Sequence, residues 1–138
     1  MKYLLDTCLL SEFLKKTPNQ KVLAWFNSKD DETLYISVLT IGEIRKGIAK
    51  LVESRRKVDL KTWLESVVER FDSRILAFDI STSFVWGELK SQMEARGRII
   101  PVVDSLIAAT AIENDLAIVT RNESDFAGTG ARIINPWE

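Results

Sequence analysis

Residues 2–8 read KYLLDTC, an apolar run that stops on an aspartate and a threonine almost as soon as the chain begins. A short stretch with Tyr and Leu and no amphipathic alternation reads as a buried parallel strand, whose C-terminal end lies at the ligand-binding edge of an α/β sheet. Asp6 therefore stands where chemistry is expected. Late in the chain Leu116 to Val119 repeats the arrangement, a second apolar strand running into Thr120, Arg121 and Asn122. Two strand ends are thus expected to turn polar groups toward one crevice.

Working outward from the first strand, Leu9, Leu10, Phe13 and Leu14 have helical spacing over Thr7 to Lys16, and Thr17-Pro18-Asn19 breaks the pattern. A second helical piece spans Gln20 to Asn27. Thr33 to Ser37 (TLYIS) is a short strand that flows into a helix from about Val38 to Glu53, placing Glu43 about one turn inside it. Arg55, Arg56 and Lys57 interrupt the pattern. A stripe at Leu60, Trp63, Leu64, Val67, Val68 and Phe71 then predicts a helix that pairs with its predecessor as an antiparallel hairpin. Arg74 to Phe78 is read as the third strand. Ser81 to Arg96 is an amphipathic helix closed by Gly97, and Pro101 opens a nearly all-apolar helix over Val102 to Ile112 with Asp104 in its first turn. Asn122 to Phe126 is a loop or short turn, and Arg132 to Ile134 an edge strand. Alternating strands and helices predict an α/β fold with a parallel sheet flanked by helices.

The totals narrow the chemistry. The chain has 138 residues, 46% hydrophobic and 28% charged, which suits one folded unit. No apolar stretch approaches a membrane span, and Asp6 and Glu12 interrupt any signal-like N-terminus, so a cytoplasmic protein with no membrane association is expected. One cysteine and no histidine exclude Ser-His-Asp, Cys-His and HExxH chemistry and any multi-thiolate zinc site. No glycine-rich nucleotide fingerprint is present. Carboxylates must carry any acid–base or metal-binding work. A net charge of -1 gives no global attraction to nucleic acid, so such binding would need a local basic face.

Each acid alone has an ordinary reading: Asp6 an N-cap, Asp104 a first-turn residue favoured by the helix dipole, Glu43 a surface residue, Asp125 an Asx turn. Jointly they point elsewhere. Carboxylates gathered in one crevice raise one another's pKa unless a cation neutralises them, and a hard divalent ion, Mg²⁺ or Mn²⁺, suits oxygen ligands without histidine. Such a site binds phosphate and activates water for phosphodiester hydrolysis. Thr120, Arg121 and Asn122 are placed to orient a phosphate or a metal-bound water. The basic residues Arg45, Lys46, Lys50, Arg55, Arg56, Lys57 and Lys61 read either as a solvated helical face or as a phosphate-backbone surface. Cys8 reads as a half-buried filler, because no histidine can activate it.

Four ordered segments, LLDTCLLSEF, IGEIRKGI, VVDSLIAATA and VTRNESDF, together with WGEL and the closing INPW, resemble the PIN-domain ribonucleases. Within that family they resemble the VapC-type toxins of type II toxin–antitoxin pairs. The resemblance covers essentially the whole chain and implies a single PIN domain over residues 1–138: a three-layer α/β/α sandwich with a central, mainly parallel sheet and an acidic pocket for Mg²⁺ or Mn²⁺. It implies that Asp6, Glu43 and Asp104 are the central acids, with Asp6 and Asp104 as direct metal ligands. The fourth acid falls either at Asn122, directly after Thr-Arg, or at Asp125. Cys8 replaces the asparagine many relatives carry after Asp-Thr. The resemblance further implies cleavage of RNA, a VapB-type antitoxin as partner, a homodimer within a toxin–antitoxin hetero-oligomer, and DNA contact only through the antitoxin. The resemblance also implies a docking groove in the helix hairpin around Trp63.

Overall fold

The alternation of inward and outward side chains along two four-residue strands sets the layers. A computed structural model describing residues 1–138 places β1 (Lys2–Leu5) at the centre of a sheet of five parallel strands. The others are β2 (Leu34–Ser37), β3 (Ile75–Leu76), β4 (Leu116–Val119) and β5 (Ile133–Ile134), in the order β3-β2-β1-β4-β5. Successive side chains of a strand face opposite sides. Tyr3 and Leu5 of β1, with Ala117 and Val119 of β4, enter one core; Leu4, Leu116 and Ile118 enter the other. Apolar runs buried on both faces are what a central parallel sheet requires.

The first core is covered by α1 (Thr7–Glu12), α2 (Gln20–Asn27), α3 (Val38–Ala49) and α4 (Arg55–Phe71), through Leu9, Leu10, Val22, Phe26, Ile44, Ile48, Leu64, Val67 and Phe71. The second is covered by α5 (Ile80–Ala95), α6 (Val102–Glu113) and α7 (Glu123–Phe126), through Leu89, Met93, Ile107, three alanines of α6 and Phe126. The result is the expected α/β/α sandwich. Three small residues, Ala108, Ala109 and Ala111, leave no bulk on α6, so it can lie close under α5 and against the sheet. Trp86 on α5 donates its indole N–H to Ser105 Oγ on α6 at 2.9 Å and locks the pair.

Caps set several ends. Asp6 N-caps α1, and Asp79 N-caps α5 by accepting from the Thr82 N–H at 3.0 Å. Gly97 takes φ +70 after α5; its N–H reaches Glu94 O while the Arg98 N–H reaches Met93 O at 2.9 Å, a Schellman closure in which glycine carries the left-handed backbone. Gly128 follows α7 at φ +82 with the Arg98 guanidinium against it, where a Cβ would stand 2.5 Å from Arg98 Nη1.

Some expected boundaries move. The helix after β1 ends at Glu12 rather than Lys16, because the chain must turn into α2 and Pro18 biases the residue before it toward extended backbone. The next helix stops at Ala49 rather than Glu53. Arg55, Arg56 and Lys57 do not interrupt helical structure: they form the first turn of α4, capped by Ser54 Oγ, which accepts from the Lys57 N–H at 3.2 Å. Lys57 also leaves the expected basic face. It is 7% exposed, and its Nζ donates to the carbonyls of Ala49 and Leu51 and to Glu53 at 3.4, 3.1 and 2.6 Å, closing the end of α3. The third strand shrinks to two residues at the sheet edge, and Asn122 to Phe126 contains the single helical turn α7.

Candidate active site

The sheet order fixes where a site can form. From β1 the chain builds outward through β2 to β3, then crosses to the other side of β1 with β4, so the switch in direction falls between β1 and β4. The crevice beyond the C-terminal ends of two such strands is where open α/β sheets bind ligands. Asp6 follows β1 and Thr120 follows β4, and they meet there.

The Asp6 N–H continues the ladder by donating to Val119 O at 3.1 Å. Its carboxylate is 8% exposed and accepts twice: Oδ1 from the Thr7 N–H at 2.9 Å, Oδ2 from the Thr120 hydroxyl at 2.8 Å. Thr120 is fully buried, and its Oγ1 accepts in turn from the Asn122 N–H at 3.0 Å. Cys8 Sγ lies 3.4 Å from that hydroxyl and 3.8 Å from Asp6 Oδ2. Burial, as the largest effect, pushes the Cys8 thiol up, so it stays neutral beside the carboxylate, as the filler reading requires.

The other acids ring this centre. Glu43, on the first turns of α3, accepts from the Thr7 hydroxyl at 3.2 Å, so one threonine links both carboxylates through adjacent groups. Asp104 is half-buried in the first turn of α6. Burial first, and then the charges of Asp125, Asp6 and Glu43, push its carboxyl up to about 6. The structure therefore brings the other three acids close enough to act on Asp104. No three of the Cys, Asp and Glu side chains stand as a ready ligand set for a metal ion.

Asp125 is exposed on α7. The Asn122 side chain makes no cap bond to α7; its backbone N–H, bound to Thr120, is what serves the centre. Arg121, directly after Thr120, has its guanidinium 5.2 Å from the centre of the Trp137 ring.

Residues 3–131 match the PIN domain family. The chain belongs to that family. VapC ribonuclease Y4jK of Sinorhizobium fredii is 38% identical to this PIN domain over 135 residues, 97% of this chain and 96% of that protein. Toxin FitB of Neisseria gonorrhoeae is 36% identical over 135 residues, 97% of each chain. Among solved structures, FitAB bound to an IR36 DNA fragment superposes with a TM-score of 0.93 at 34% identity, over 99% of this chain and 96% of that one. These likenesses make it a PIN domain of the VapC type.

Two parts of this PIN domain site escaped the sequence reading. In the sequence Thr7 reads only as the partner of Asp6 in the Asp-Thr pair, yet its hydroxyl reaches Glu43 from 36 residues away. Glu12 reads there only as a charge. It is 2% exposed at the end of α1 and accepts from the Trp137 indole N–H, Lys15 Nζ and the Asn19 N–H at 3.0, 3.1 and 3.1 Å. Its signal lay in the helical spacing: three residues after the buried Leu9, position 12 points inward, and an inward carboxylate demands partners.

Proposed function

We propose that this PIN domain is the toxin of a type II toxin–antitoxin pair, an endoribonuclease that hydrolyses RNA phosphodiester bonds with Mg²⁺, or Mn²⁺ in its place. The observation that carries this reading is the meeting at the β1 and β4 ends of Asp6, held by Thr120 and the Thr7 N–H, and Glu43, tethered by the Thr7 hydroxyl, beside the half-buried Asp104, whose carboxyl burial and the other acids push up. A set of oxygen donors in mutual repulsion, with no histidine, fits a hard divalent cation, and it suits little else. Asp6 and Asp104 would hold the ion, with Glu43 and Asp125 beside it. When bound, it would supply charge for the phosphate and acidify a water.

The chain's own groups have separate tasks. Thr120 and the Thr7 N–H fix both oxygens of Asp6, so that carboxylate keeps one orientation. The Thr7 hydroxyl tethers Glu43, and the neutral Cys8 thiol fills the space behind Asp6 without adding charge. Arg121 is the cation nearest in sequence to this centre and would meet the substrate's backbone. The cognate partner would be a VapB-type antitoxin, through which any DNA contact would run, in an assembly that holds two toxin copies; an RNA substrate makes the cytoplasm the compartment. No helix is long and apolar enough to cross a membrane.

A second reading is a PIN-like module that grips RNA or its antitoxin with little turnover. The observation on its side is the absence of a ready ligand set. The experiment that decides is cleavage of cellular RNA by the purified chain with Mg²⁺, with EDTA, and with Asp104→Asn. Cutting that requires the metal and disappears in the folded variant supports the nuclease. Tight RNA binding with no cutting by the wild type supports the module.

A further inference from the structure

We propose that Arg121 forms a subsite for an RNA backbone phosphate flanking the acid crevice, and that Trp137 and Glu12 are positioning residues that hold its guanidinium there. The identity of the ligand rests on the reading of the chain as an RNA-binding nuclease; the device itself rests on geometry.

Arg121 leaves the sheet directly after Thr120, whose hydroxyl holds Asp6, so its backbone lies one residue from the buried centre. Its guanidinium stacks on Trp137 at 5.2 Å from the ring centroid. Trp137 is itself fixed at both ends: the indole N–H donates to Glu12 Oε1 at 3.0 Å, the backbone N–H to Asn135 Oδ1 at 3.0 Å, and the ring packs on the first core. Glu12 is fixed by its own donors. Three segments far apart in sequence thus converge to hold one exposed arginine.

A bland explanation is surface packing, since arginines often stack on rings. The other stacked arginines argue against it. Arg70, over Phe26, pairs with Asp31 at 3.0 Å; Arg74, over Phe71, donates to the carbonyls of Asp31, Leu34 and Arg70. Both use their donors within the chain. Alone among the stacked arginines, Arg121 has a guanidinium that joins no ion pair and donates no hydrogen bond. A guanidinium that lies over a ring and pairs with nothing in the chain keeps its N–H groups free, and those donors can grip a phosphate bidentately. An acidic crevice repels the polyanion it must cut, and a fixed cation at its rim offsets that repulsion.

The test uses full-length protein carrying Asp104→Asn and a short fluorescein-labelled single-stranded RNA of random sequence, titrated at several salt concentrations. Adding Arg121→Ala should weaken binding about tenfold and reduce the salt slope by about 0.7, one phosphate contact on a single strand. Trp137→Leu should weaken binding when Arg121 is present and add nothing once Arg121 is alanine, a non-additivity that a merely structural tryptophan would not produce. Should Trp137→Leu fail to fold, Trp137→Phe, which keeps a ring face, should retain more affinity than Arg121→Ala. In the cleaving protein Arg121→Ala should raise KM by more than it lowers kcat.

Unchanged affinity and salt slope in Arg121→Ala, or additive losses with Trp137→Leu, overturn the subsite. So does unchanged RNA binding accompanied by lost binding of the antitoxin, which would assign Arg121 to the protein partner. A wild type that cuts no RNA but binds it through Arg121 sinks the nuclease reading and leaves the subsite standing.

Discussion

Two carboxylates, on helices that cover opposite faces of the sheet, show opposite uses of a charge. Glu12 closes α1 almost wholly buried; burial alone would raise its pKa, but bonds from Trp137, Lys15 and Asn19 outweigh that and hold it below the usual carboxylate range. Asp104 opens α6 less deeply buried, yet it accepts no such set of donors, and burial plus three neighbouring acids raise it to about 6. Depth therefore does not separate a structural acid from a functional one. The balance of donors does: a satisfied carboxylate is held by the fold, and an acid surrounded by acids is held for something the fold does not contain.

The largest effect that could break this comparison is on activity. Asp104→Asn should lower RNA cleavage by about 100-fold or more at saturating Mg²⁺, because the amide keeps the shape but loses the charge with which Asp104 would hold the ion. Rates within a few-fold of wild type, from preparations verified free of contaminating nuclease, would remove Asp104 from the chemistry. Glu12→Gln should act chiefly on stability, and on RNA affinity only through the Trp137 ring that Glu12 holds under Arg121. The amide cannot accept on both sides, so at least one buried donor loses its partner, at a cost of about 2–3 kcal/mol and a Tm drop of roughly 5–10 °C. A Tm unchanged by that substitution would mean that the three donors find water or each other, and the contrast drawn above would fail.

A smaller effect distinguishes the two acids by pH. The folded-state pKa of Asp104 lies above its unfolded value, so the folded protein holds a proton that the unfolded chain releases. Its contribution to stability is fully present below about pH 4, is lost as pH rises toward about 6, and stays lost above. With metal removed by EDTA, Asp104→Asn should therefore match wild-type stability near pH 4 and exceed it at pH 7 by about 1–2 kcal/mol, allowing for solvent screening. Mg²⁺ should stabilise the wild type at pH 7 and leave the variant nearly unchanged. Chemical denaturation at the two pH values reads this directly; a variant equally stable or weaker at pH 7 would show that the four acids do not repel.

Much of this was legible beforehand because it is periodic or local. The buried strands at Lys2–Leu5 and Leu116–Val119, the apolar helix behind Asp104 and the glycine closing α5 follow from residue patterns a few positions long. So does the placing of Asp6 at a strand end. What the pattern could not carry was pairing between distant positions. Thr120 to Asp6, Thr7 to Glu43 and Trp137 to Glu12 each close a long loop, and nothing near either partner specifies the other. The same blindness misassigned Lys57, read as one cation in a basic run although its ammonium closes a helix.

Lys57 supplies the last and smallest prediction, and it extends the comparison from anions to cations. A charged group whose donors are all taken by the fold should matter to stability and not to substrate, whereas one left free should do the reverse. Lys57→Met keeps the stem that packs between α3 and α4 but leaves the carbonyls of Ala49 and Leu51 without their donor, which should cost about 1 kcal/mol. Its RNA affinity should match wild type at every salt concentration. Lys46→Met, on an exposed position of the same hairpin, is the matched control and should leave stability unchanged within about 0.5 kcal/mol. If Lys57→Met instead lowers the salt dependence of RNA binding while Tm holds, the ammonium leaves its carbonyls to meet the substrate. Counting donors in the free protein would then be a poor guide to which charges this fold reserves for RNA.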